Sequence, residues 1–249
     1  MRSWLGVCCV VVWSLSSGLA FAQETEDAGQ KPIDPSFWAP FKAIPRDFVR
    51  FASVETVKVL SIGVSGAVIA HNWDDSGVAQ AKAHLNPRTF RPGNIGGNFY
   101  LQTGAAVGLY SLARVAGSEK LSAMGADLVT AQILTQGIVQ AGKAATRRSR
   151  PDGSDNHSLP SGHTASAFAT ASVLQRHYGW AVGVPAYAFG AYVATARMAA
   201  NRHHLSDVLA GAAVGIAVGR TVTVGVGNSR FAMGIAPTSG GGAVTFTKQ

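Results

Sequence analysis

Three short stretches of the chain combine cations, histidines and a carboxylate at fixed spacings. They are Lys143-x6-Arg150-Pro151, Pro160-Ser161-Gly162-His163 and Arg197-x5-His203-x3-Asp207. Lysine and arginine bind anionic oxygens, and the planar fork of arginine matches two oxygens of a phosphate. One histidine can attack phosphorus while a second protonates the leaving group. The three stretches together predict a site that hydrolyses phosphate esters.

The third stretch predicts an attacking histidine and its orienting carboxylate. His203 and Asp207 are one helical turn apart, so the carboxylate can accept a hydrogen bond from Nδ1 of the imidazole. This bond would fix the tautomer, leave Nε2 free to attack and stabilise the cationic ring after attack. His204 is the alternative nucleophile, but its spacing to Arg197 and Asp207 is off by one residue.

The first stretch predicts a cationic grip on the phosphate. Lys143 and Arg150 lie seven residues apart, nearly two helical turns, so both can point from one helix face. Pro151 would end that helix directly after Arg150. A solvated basic run is the alternative for this stretch taken alone.

The second stretch predicts an anion-binding helix start. Ser161 has the position of an N-cap residue, and free amide hydrogens at a helix N-terminus attract anions. Gly162 admits an anion without interference from a Cβ atom, and His163 then lies beside it as a proton donor. An ordinary capped helix with an incidental histidine is the alternative for this stretch alone.

The order and spacing of the three stretches resemble the tripartite signature of the type 2 phosphatidic acid phosphatase superfamily. That superfamily also includes bacterial class A acid phosphatases and vanadium haloperoxidases. Its signature reads Lys-x6-Arg-Pro, Pro-Ser-Gly-His and Ser-Arg-x5-His-x3-Asp. Every position matches except the serine of the third block, where this chain has Ala196.

The resemblance implies a fold, a mechanism and a role for each residue. It implies an all-α helical bundle of the acid phosphatase and vanadium haloperoxidase type, with no metal and no cofactor, and with vanadate as an inhibitor. His203 would form a phosphohistidine, Asp207 would orient it, and His163 would protonate the departing group. The residues that would hold the phosphoryl oxygens are Lys143, Arg150, Ser161, Gly162 and Arg197.

Two other functions remain open from the sequence. A vanadium-dependent haloperoxidase would build the same cradle around vanadate, although those enzymes are usually larger. A non-catalytic, anion-binding envelope protein is the second alternative, although it would have no evident need for both histidines and the carboxylate. The substrate is left open between small phosphate monoesters, lipid phosphates and diphosphates, with a lipid-linked one favoured by the apolar helices.

Helical periodicity predicts the elements that carry these residues. We expect helices over Val54–Ala70, Gly97–Ala116, Ser118–Ser149, Gly162–His177, Ala181–Ala199 and from His203 to Thr221, together forming a helical phosphatase domain over 51–222. His71–Gly96 is predicted as a polar connector with a short helix over Ser76–His84, broken by Pro87 and Pro92. A globular bundle is favoured over an integral membrane protein, because Asp127, Arg114, His177 and Arg220 interrupt the apolar runs.

The two ends of the chain differ from this helical body. Residues 1–22 resemble a secretory signal, with Arg2, an apolar stretch and Ala20-Phe21-Ala22 as cleavage site. Residues 23–50 are predicted as a flexible lead-in whose aromatic and basic part rests on a membrane surface or packs on the bundle. Residues 223–249 alternate around a glycine-rich turn and predict a short β-hairpin.

Composition limits the cellular location and the partners. Both cysteines lie within the signal-like segment, so the mature chain has no thiol nucleophile or cysteine metal site. The formal net charge of +8 favours an anionic ligand, and no nucleic-acid-binding motif accompanies it. We expect an exported, periplasmic protein, associated with the membrane or embedded in it, acting on a phosphorylated lipid or a small phosphoester.

Overall fold

The computed structural model describes residues 36–224, residue 226 and the segments 231–238 and 241–248. The predicted signal peptide over 1–22 lies outside the described residues, as do residues 23–35 of the lead-in. A short 3-10 turn, His71–Trp73, joins the second and third helices of the body. The α-helices are α1 (Ala39–Phe51), α2 (Val54–Ala70), α3 (Asp74–His84), α4 (Pro87–Gly96), α5 (Phe99–Val115), α6 (Glu119–Thr146), α7 (Gly162–Tyr178), α8 (Trp180–Ala199) and α9 (Leu205–Val222).

Helix α6 lies at the centre of the bundle. It buries side chains along most of its length and packs with α5, α7 and α9 around an apolar core. Removing this apolar surface from water is the main favourable term in the stability of the fold. The core includes Val129, Leu134, Val173, Val218 and Val222. The predicted all-α body is therefore confirmed.

A stripe of glycines on α9 brings that helix very close to α7. A Cβ atom built at Gly211 would lie 2.5 Å from the Ser161 carbonyl oxygen, and one at Gly215 would lie 2.3 Å from that of Ala165. One at Gly219 would meet Ser172. Contacts therefore advance along both helices in the same direction, so α7 and α9 run parallel with their N-termini at one end.

Helix ends differ from the sequence prediction in ways that matter for the site. Helix α6 ends at Thr146, three residues earlier than expected, because Arg147 adopts a left-handed conformation with φ 45°. Helix α9 begins at Leu205, with His204 as its N-cap, so His203 precedes the helix. His203 and Asp207 are therefore not one turn apart on a common helix.

The predicted connector over 71–96 is almost entirely helical. Asn86 accepts a hydrogen bond from the Arg88 amide at 2.9 Å and caps α4, and Pro87 occupies the first position of that helix. Proline fits this position because the amide hydrogen there has no helical partner. Pro92 lies inside α4 and does not break it. The chain does break before Pro87, since α3 ends at His84 and α4 begins at Pro87, whereas the interpretation of Pro92 as a breaker was wrong.

Part of the predicted flexible lead-in is also ordered. Residues 39–51 form α1, and the segment before it packs on the bundle: the Tyr110 hydroxyl donates to the Phe37 carbonyl at 3.1 Å. Asp47 is buried on α1, where Arg46 donates to it at 3.0 Å. Within the described residues, the prediction of a flexible lead-in up to residue 50 is therefore wrong from residue 39 onward.

The C-terminal segment is a unit separate from the helical body. Its backbone forms β1 (Phe231–Thr238) and β2 (Gly241–Lys248), which pair antiparallel with Phe231 opposite Lys248. This is the segment for which alternation predicts a hairpin.

The outer surface of the bundle carries exposed apolar side chains. On α2 they include Val57, Ile62 and Val68, and on α5 Leu112 and Val115. Two helical stretches in the described part of the chain are long and apolar enough to cross a membrane, Val54–His84 and Leu205–Val222. The second is mostly buried inside the bundle, so only the first presents a largely uncovered apolar surface.

Candidate active site

His203 lies in the loop before α9 with its imidazole almost completely buried, at 2% exposure. Its Nδ1 lies 2.8 Å from the backbone carbonyl oxygen of Ser158. A carbonyl only accepts, so Nδ1 carries the proton. On the opposite side of the ring, Nε2 lies 3.4 Å from a terminal nitrogen of Arg150, which only donates. Both neighbours thus select the tautomer with a lone pair on Nε2.

Asp207 lies near this imidazole but does not form a direct hydrogen bond with it. Its Oδ2 lies 3.8 Å from Nδ1 of His203, beyond hydrogen-bond distance. The same oxygen accepts from the Ser158 hydroxyl at 2.5 Å and from the His204 amide at 2.8 Å. The predicted direct bond is therefore replaced by Ser158, whose carbonyl holds the ring and whose hydroxyl is held by Asp207. The reason is that His203 lies outside the helix.

Arg150 reaches the site from the loop between α6 and α7. Its Nε donates to Asp155 at 2.8 Å, and one terminal nitrogen donates to the Arg202 carbonyl at 3.1 Å. These bonds aim the guanidinium at Nε2 of His203. Lys143 lies in the last turn of α6, whereas Arg150 lies in the loop beyond the end of that helix. The prediction that both residues point from one helix face is therefore wrong. The two cations are brought together by the loop.

The N-terminus of α7 forms another wall of the site. Ser161 is the N-cap residue, as predicted, and is fully buried. Its hydroxyl accepts from Thr164 at 3.0 Å, so its own proton stays available to a ligand, and its amide donates to the Asp207 carbonyl at 3.0 Å. A Cβ atom at Gly162 would lie 3.9 Å from the Lys143 ammonium nitrogen. The helix start therefore opens onto the same cation, with His163 as the next residue.

Arg197 projects from the last turn of α8, and only 9% of it is exposed. One terminal nitrogen donates to the Asn94 side-chain oxygen at 2.7 Å. Asn94 lies on α4, within the segment that the sequence assigned to a connector. At the position of the missing family serine, Ala196 is fully buried, and a Cβ atom at Gly93 would lie 2.8 Å from its Cβ. Helix α4 thus fills this position and supplies a polar partner for the arginine.

Electrostatics tie these residues into one cluster. Burial lowers the pKa of His163 to about 3, and Arg197, His203, Lys143 and Arg150 add to the effect. All four groups act on one ring, so they lie near it.

Burial also depresses the basicity of the other site residues. It lowers the pKa of His203 to about 4, although the Asp207 carboxylate acts in the opposite direction. Burial and the charge of Arg150 lower the pKa of Lys143. Burial and Arg150 likewise lower the pKa of Arg197, to about 10. A buried cluster of mutually repelling cations would be stabilised by an anion, so the site is built for a phosphate-like ligand.

Several residues that shape the site were not predicted from the sequence. They are Asp74, Asn94, Arg148 and Ser158. Arg148 and Ser158, in the loop after α6, contact Asp207, Asn94 of α4 contacts Arg197, and Asp74 of α3 contacts Arg148. Only Arg148 had a local signal, as a member of the basic run in the first motif. Asp74 and Asn94 are remote in sequence and carry no signal. Over the described residues, no cluster of histidine, cysteine, aspartate and glutamate side chains is placed to hold a metal ion.

Comparison with known proteins finds a family model that matches the central part of the chain. The PAP2 superfamily model matches residues 125–231, a segment that contains all three motifs. This match covers less than half of the chain, and over this segment it confirms the resemblance based on the motifs.

Individual relatives carry names that concern lipid A. The chain is 48% identical over 90 residues to a lipid A 1-phosphatase of Porphyromonas gingivalis, covering 34% of this chain and 20% of the relative. It is 26% identical over 99 residues to a lipid A 4'-phosphatase of Helicobacter pylori, covering 35% of this chain and 50% of the relative. The matched regions thus span half or less of these relatives.

A solved structure supports the fold. The crystal structure of Aquifex aeolicus LpxE superposes with a TM-score of 0.51 at 20% sequence identity, covering 61% of this chain and 94% of that one. At this level of identity, the similarity concerns the helical fold alone.

Proposed function

We propose that the protein is a phosphatase that hydrolyses a lipid-linked phosphate monoester through a phosphohistidine on His203. The observation that carries this proposal is the tautomer of His203. Its Nδ1 is held by the Ser158 carbonyl, and the lone pair of Nε2 faces Arg150 in a cationic site. A neutral imidazole with a free Nε2 is the form that attacks phosphorus.

In the first step, Nε2 of His203 forms a bond to phosphorus while the ester P–O bond breaks. The cations Lys143, Arg150 and Arg197 hold the phosphoryl oxygens, because charge stabilisation and positioning dominate phosphoryl transfer. The leaving oxygen takes a proton from His163. That ring is neutral in the free protein, since its pKa is about 3, so the proton arrives with a monoanionic substrate.

In the second step, water attacks the phosphohistidine and releases phosphate. His163, now neutral, takes one proton from that water as the P–N bond breaks, and His203 returns to its neutral form. His163 then passes this proton to the departing phosphate, which leaves as the monoanion, so both rings are neutral again. Asp207 stabilises the imidazolium character of the phosphorylated ring through Ser158 and its own charge. Protons and charges balance over the two steps without any further reactant.

Lipid-linked substrates are favoured by the relatives and by the surface of the bundle. Two relatives are named lipid A phosphatases, so we propose a phosphorylated lipid of that kind as the substrate. The exposed apolar side chains of α2, among them Ile62 at 68% and Val68 at 66%, would lie against lipid. An exported protein held at the membrane, as expected from the signal-like segment, would meet such a substrate.

Phosphate release from three purified substrates in detergent micelles tests the proposal. We expect a lipid phosphate to exceed para-nitrophenyl phosphate in kcat/KM by about tenfold or more, which corresponds to ~1.4 kcal/mol of added binding in the transition state. A prenyl diphosphate serves as the third substrate. Preference for the soluble ester would remove the lipid part of the proposal, and full activity of a folded His203→Ala variant would remove the phosphohistidine.

Vanadate separates the two enzymatic alternatives. A phosphatase should be inhibited by vanadate, since the anion occupies the phosphate position, whereas a haloperoxidase should acquire bromide-oxidising activity with peroxide. Bromide oxidation by the vanadate-loaded protein would contradict the proposed function. Phosphate release from none of the esters, at any pH, would favour the non-catalytic alternative.

A further inference from the structure

We infer that Arg148 and Asp74 form a positioning pair that fixes Asp207 and Ser158, and thereby orients His203 for attack. This inference rests on the proposed function and assigns roles to two residues that neither the motifs nor the comparisons mark. Neither residue is placed to touch the phosphate. Both act through Asp207.

The guanidinium of Arg148 bridges two carboxylates from different helices. One terminal nitrogen donates to Asp207 Oδ1 at 2.7 Å and to the Ser206 hydroxyl at 2.6 Å. The other donates to Asp74 Oδ2 at 2.6 Å. Only a planar, forked cation can make these contacts at once, because a lysine ammonium is a single point charge. The side chain of Arg148 is 20% exposed, so the bridge is largely shielded from water.

Asp74, from the first turn of α3, holds the beginning of α9. Its Oδ1 accepts from the Ser206 amide at 2.8 Å, and its Oδ2 accepts from the Ser206 hydroxyl at 2.7 Å. The amide of Ser206 lies in the first turn of α9, where amide hydrogens have no acceptor within the helix itself. Asp74 therefore caps, from another helix, the turn that carries Asp207. It also fixes the place where the chain passes from His203 into that helix.

The two carboxylate oxygens of Asp207 accept hydrogen bonds from different groups. Oδ1 takes Arg148, whereas Oδ2 takes the Ser158 hydroxyl and the His204 amide. The backbone of Arg148 adds a second link, since its carbonyl accepts from the Ser158 amide at 3.0 Å. Arg148 thus holds Ser158 twice, through Asp207 and directly. The Ser158 carbonyl in turn holds Nδ1 of His203.

The negative charges of Asp74 and Asp207 explain why a cation is needed between these two carboxylates. Asp74 and Asp207 are almost completely buried, at 4% and 0% exposure, and both accept from the guanidinium of Arg148. Two buried carboxylates so near each other would repel, and one would take up a proton. A protonated or rotated Asp207 would give up an acceptor position that now holds Ser158 or His204. Arg148 keeps both carboxylates charged and directed.

Three variants test the pair, each in the full chain. Arg148→Lys keeps the charge and loses the fork, and Asp74→Asn keeps the shape and loses the anion. Arg147→Lys is the matched control, because Arg147 is the exposed neighbour of Arg148 and has no part in the site. We expect Arg148→Lys and Asp74→Asn to lower kcat by about 10- to 100-fold, the range typical for loss of a partner behind a functional histidine. The KM should change by less than about threefold, since the phosphate contacts stay in place.

A readout independent of turnover completes the test. In protein labelled with ¹⁵N-histidine, the His203 Nδ1–H signal is identified by its loss in His203→Gln. We expect this signal to broaden or to exchange faster with water in Arg148→Lys, and to stay unchanged in Arg147→Lys. The inference is overturned if Arg148→Lys retains both the wild-type kcat and a sharp Nδ1–H signal, or if it changes only the KM.

The outcomes keep this inference separate from the proposed function. An active wild type whose turnover requires His203 but not Arg148 would refute the positioning pair and leave the phosphatase intact. An inactive wild type would refute the phosphatase, and the Nδ1–H signal would then decide whether Arg148 orients the ring. Thermal unfolding of each variant shows whether a loss of kcat comes with loss of the fold, and a kcat that falls only in proportion to the unfolded fraction also counts against the pair.

Discussion

Gly211→Ala is a direct test of how helix packing sets the geometry of the site. A Cβ atom at this position of α9 would lie 2.5 Å from the Ser161 carbonyl oxygen and 3.3 Å from Thr164 Cβ. Ordinary contact begins near 3.4 Å, so the two backbones must separate by about 0.9 Å (3.4 − 2.5) at this point. Backbone atoms on the α7 side leave no flexible side chain to absorb the change.

The displacement acts on the two histidines at once. Ser161 and His163 belong to the start of α7, while His203 and Asp207 belong to the start of α9, and the Ser161 amide bonds the Asp207 carbonyl at 3.0 Å. A misplacement of about 1 Å can cost about 100-fold in rate. Overpacking of this kind typically costs about 1–3 kcal/mol of stability, offset by up to about 1 kcal/mol from the higher helix propensity of alanine. We therefore expect a 10- to 100-fold lower kcat with a net stability loss of about 0–3 kcal/mol.

The assay compares kcat with thermal or denaturant unfolding for Gly211→Ala and for Gly104→Ala. Gly104 lies inside α5, and a Cβ atom there meets no other atom within 4 Å. The control should keep full activity and gain up to about 1 kcal/mol of stability. A Gly211→Ala protein with wild-type kcat and wild-type stability would refute the argument that the glycine sets the distance between the two helix starts.

Three further predictions follow from the charges in the site. As the pH is lowered, kcat/KM for a soluble ester should fall near pH 4, the depressed pKa of His203, because attack requires the neutral ring. A fall near pH 6.5 would contradict this assignment. The same pKa makes the folded protein lose stability as pH falls from 6.5 to about 4, where only the unfolded chain gains a proton at His203. This loss is on the order of 3 kcal/mol at His203 and should be smaller in denaturant unfolding of a His203→Gln variant, an equal loss being evidence against it. Asn94→Ala should weaken inhibition by vanadate about tenfold, since a hydrogen bond to the charged Arg197 is lost, and an unchanged inhibition constant would show that Asn94 does not position that arginine.

Local chemistry in the sequence indicated the resemblance to a family and the residues to examine. Each motif is a short stretch of chain, so the spacing of its cations and histidines can be recognised in the sequence without knowing the backbone conformation. Helical periodicity likewise predicted the long helices α2, α5, α6, α7, α8 and α9 to within a few residues at most ends. The all-α body and the resemblance to the family were therefore readable from the chain alone.

The contacts within the site were decided by tertiary structure. The sequence predicted a helical His203–Asp207 pair, but the helix begins after His203, and the Ser158 carbonyl takes the place of the carboxylate. Asp74 and Asn94 lie far from the motifs in the chain and reach the site only because α3 and α4 fold over it. A hydrogen bond depends on distances of a few tenths of an ångström between atoms of remote segments, and no local pattern of residue types encodes such a distance. Sequence periodicity sets which face of a helix is buried, whereas packing against the other helices sets what that face touches.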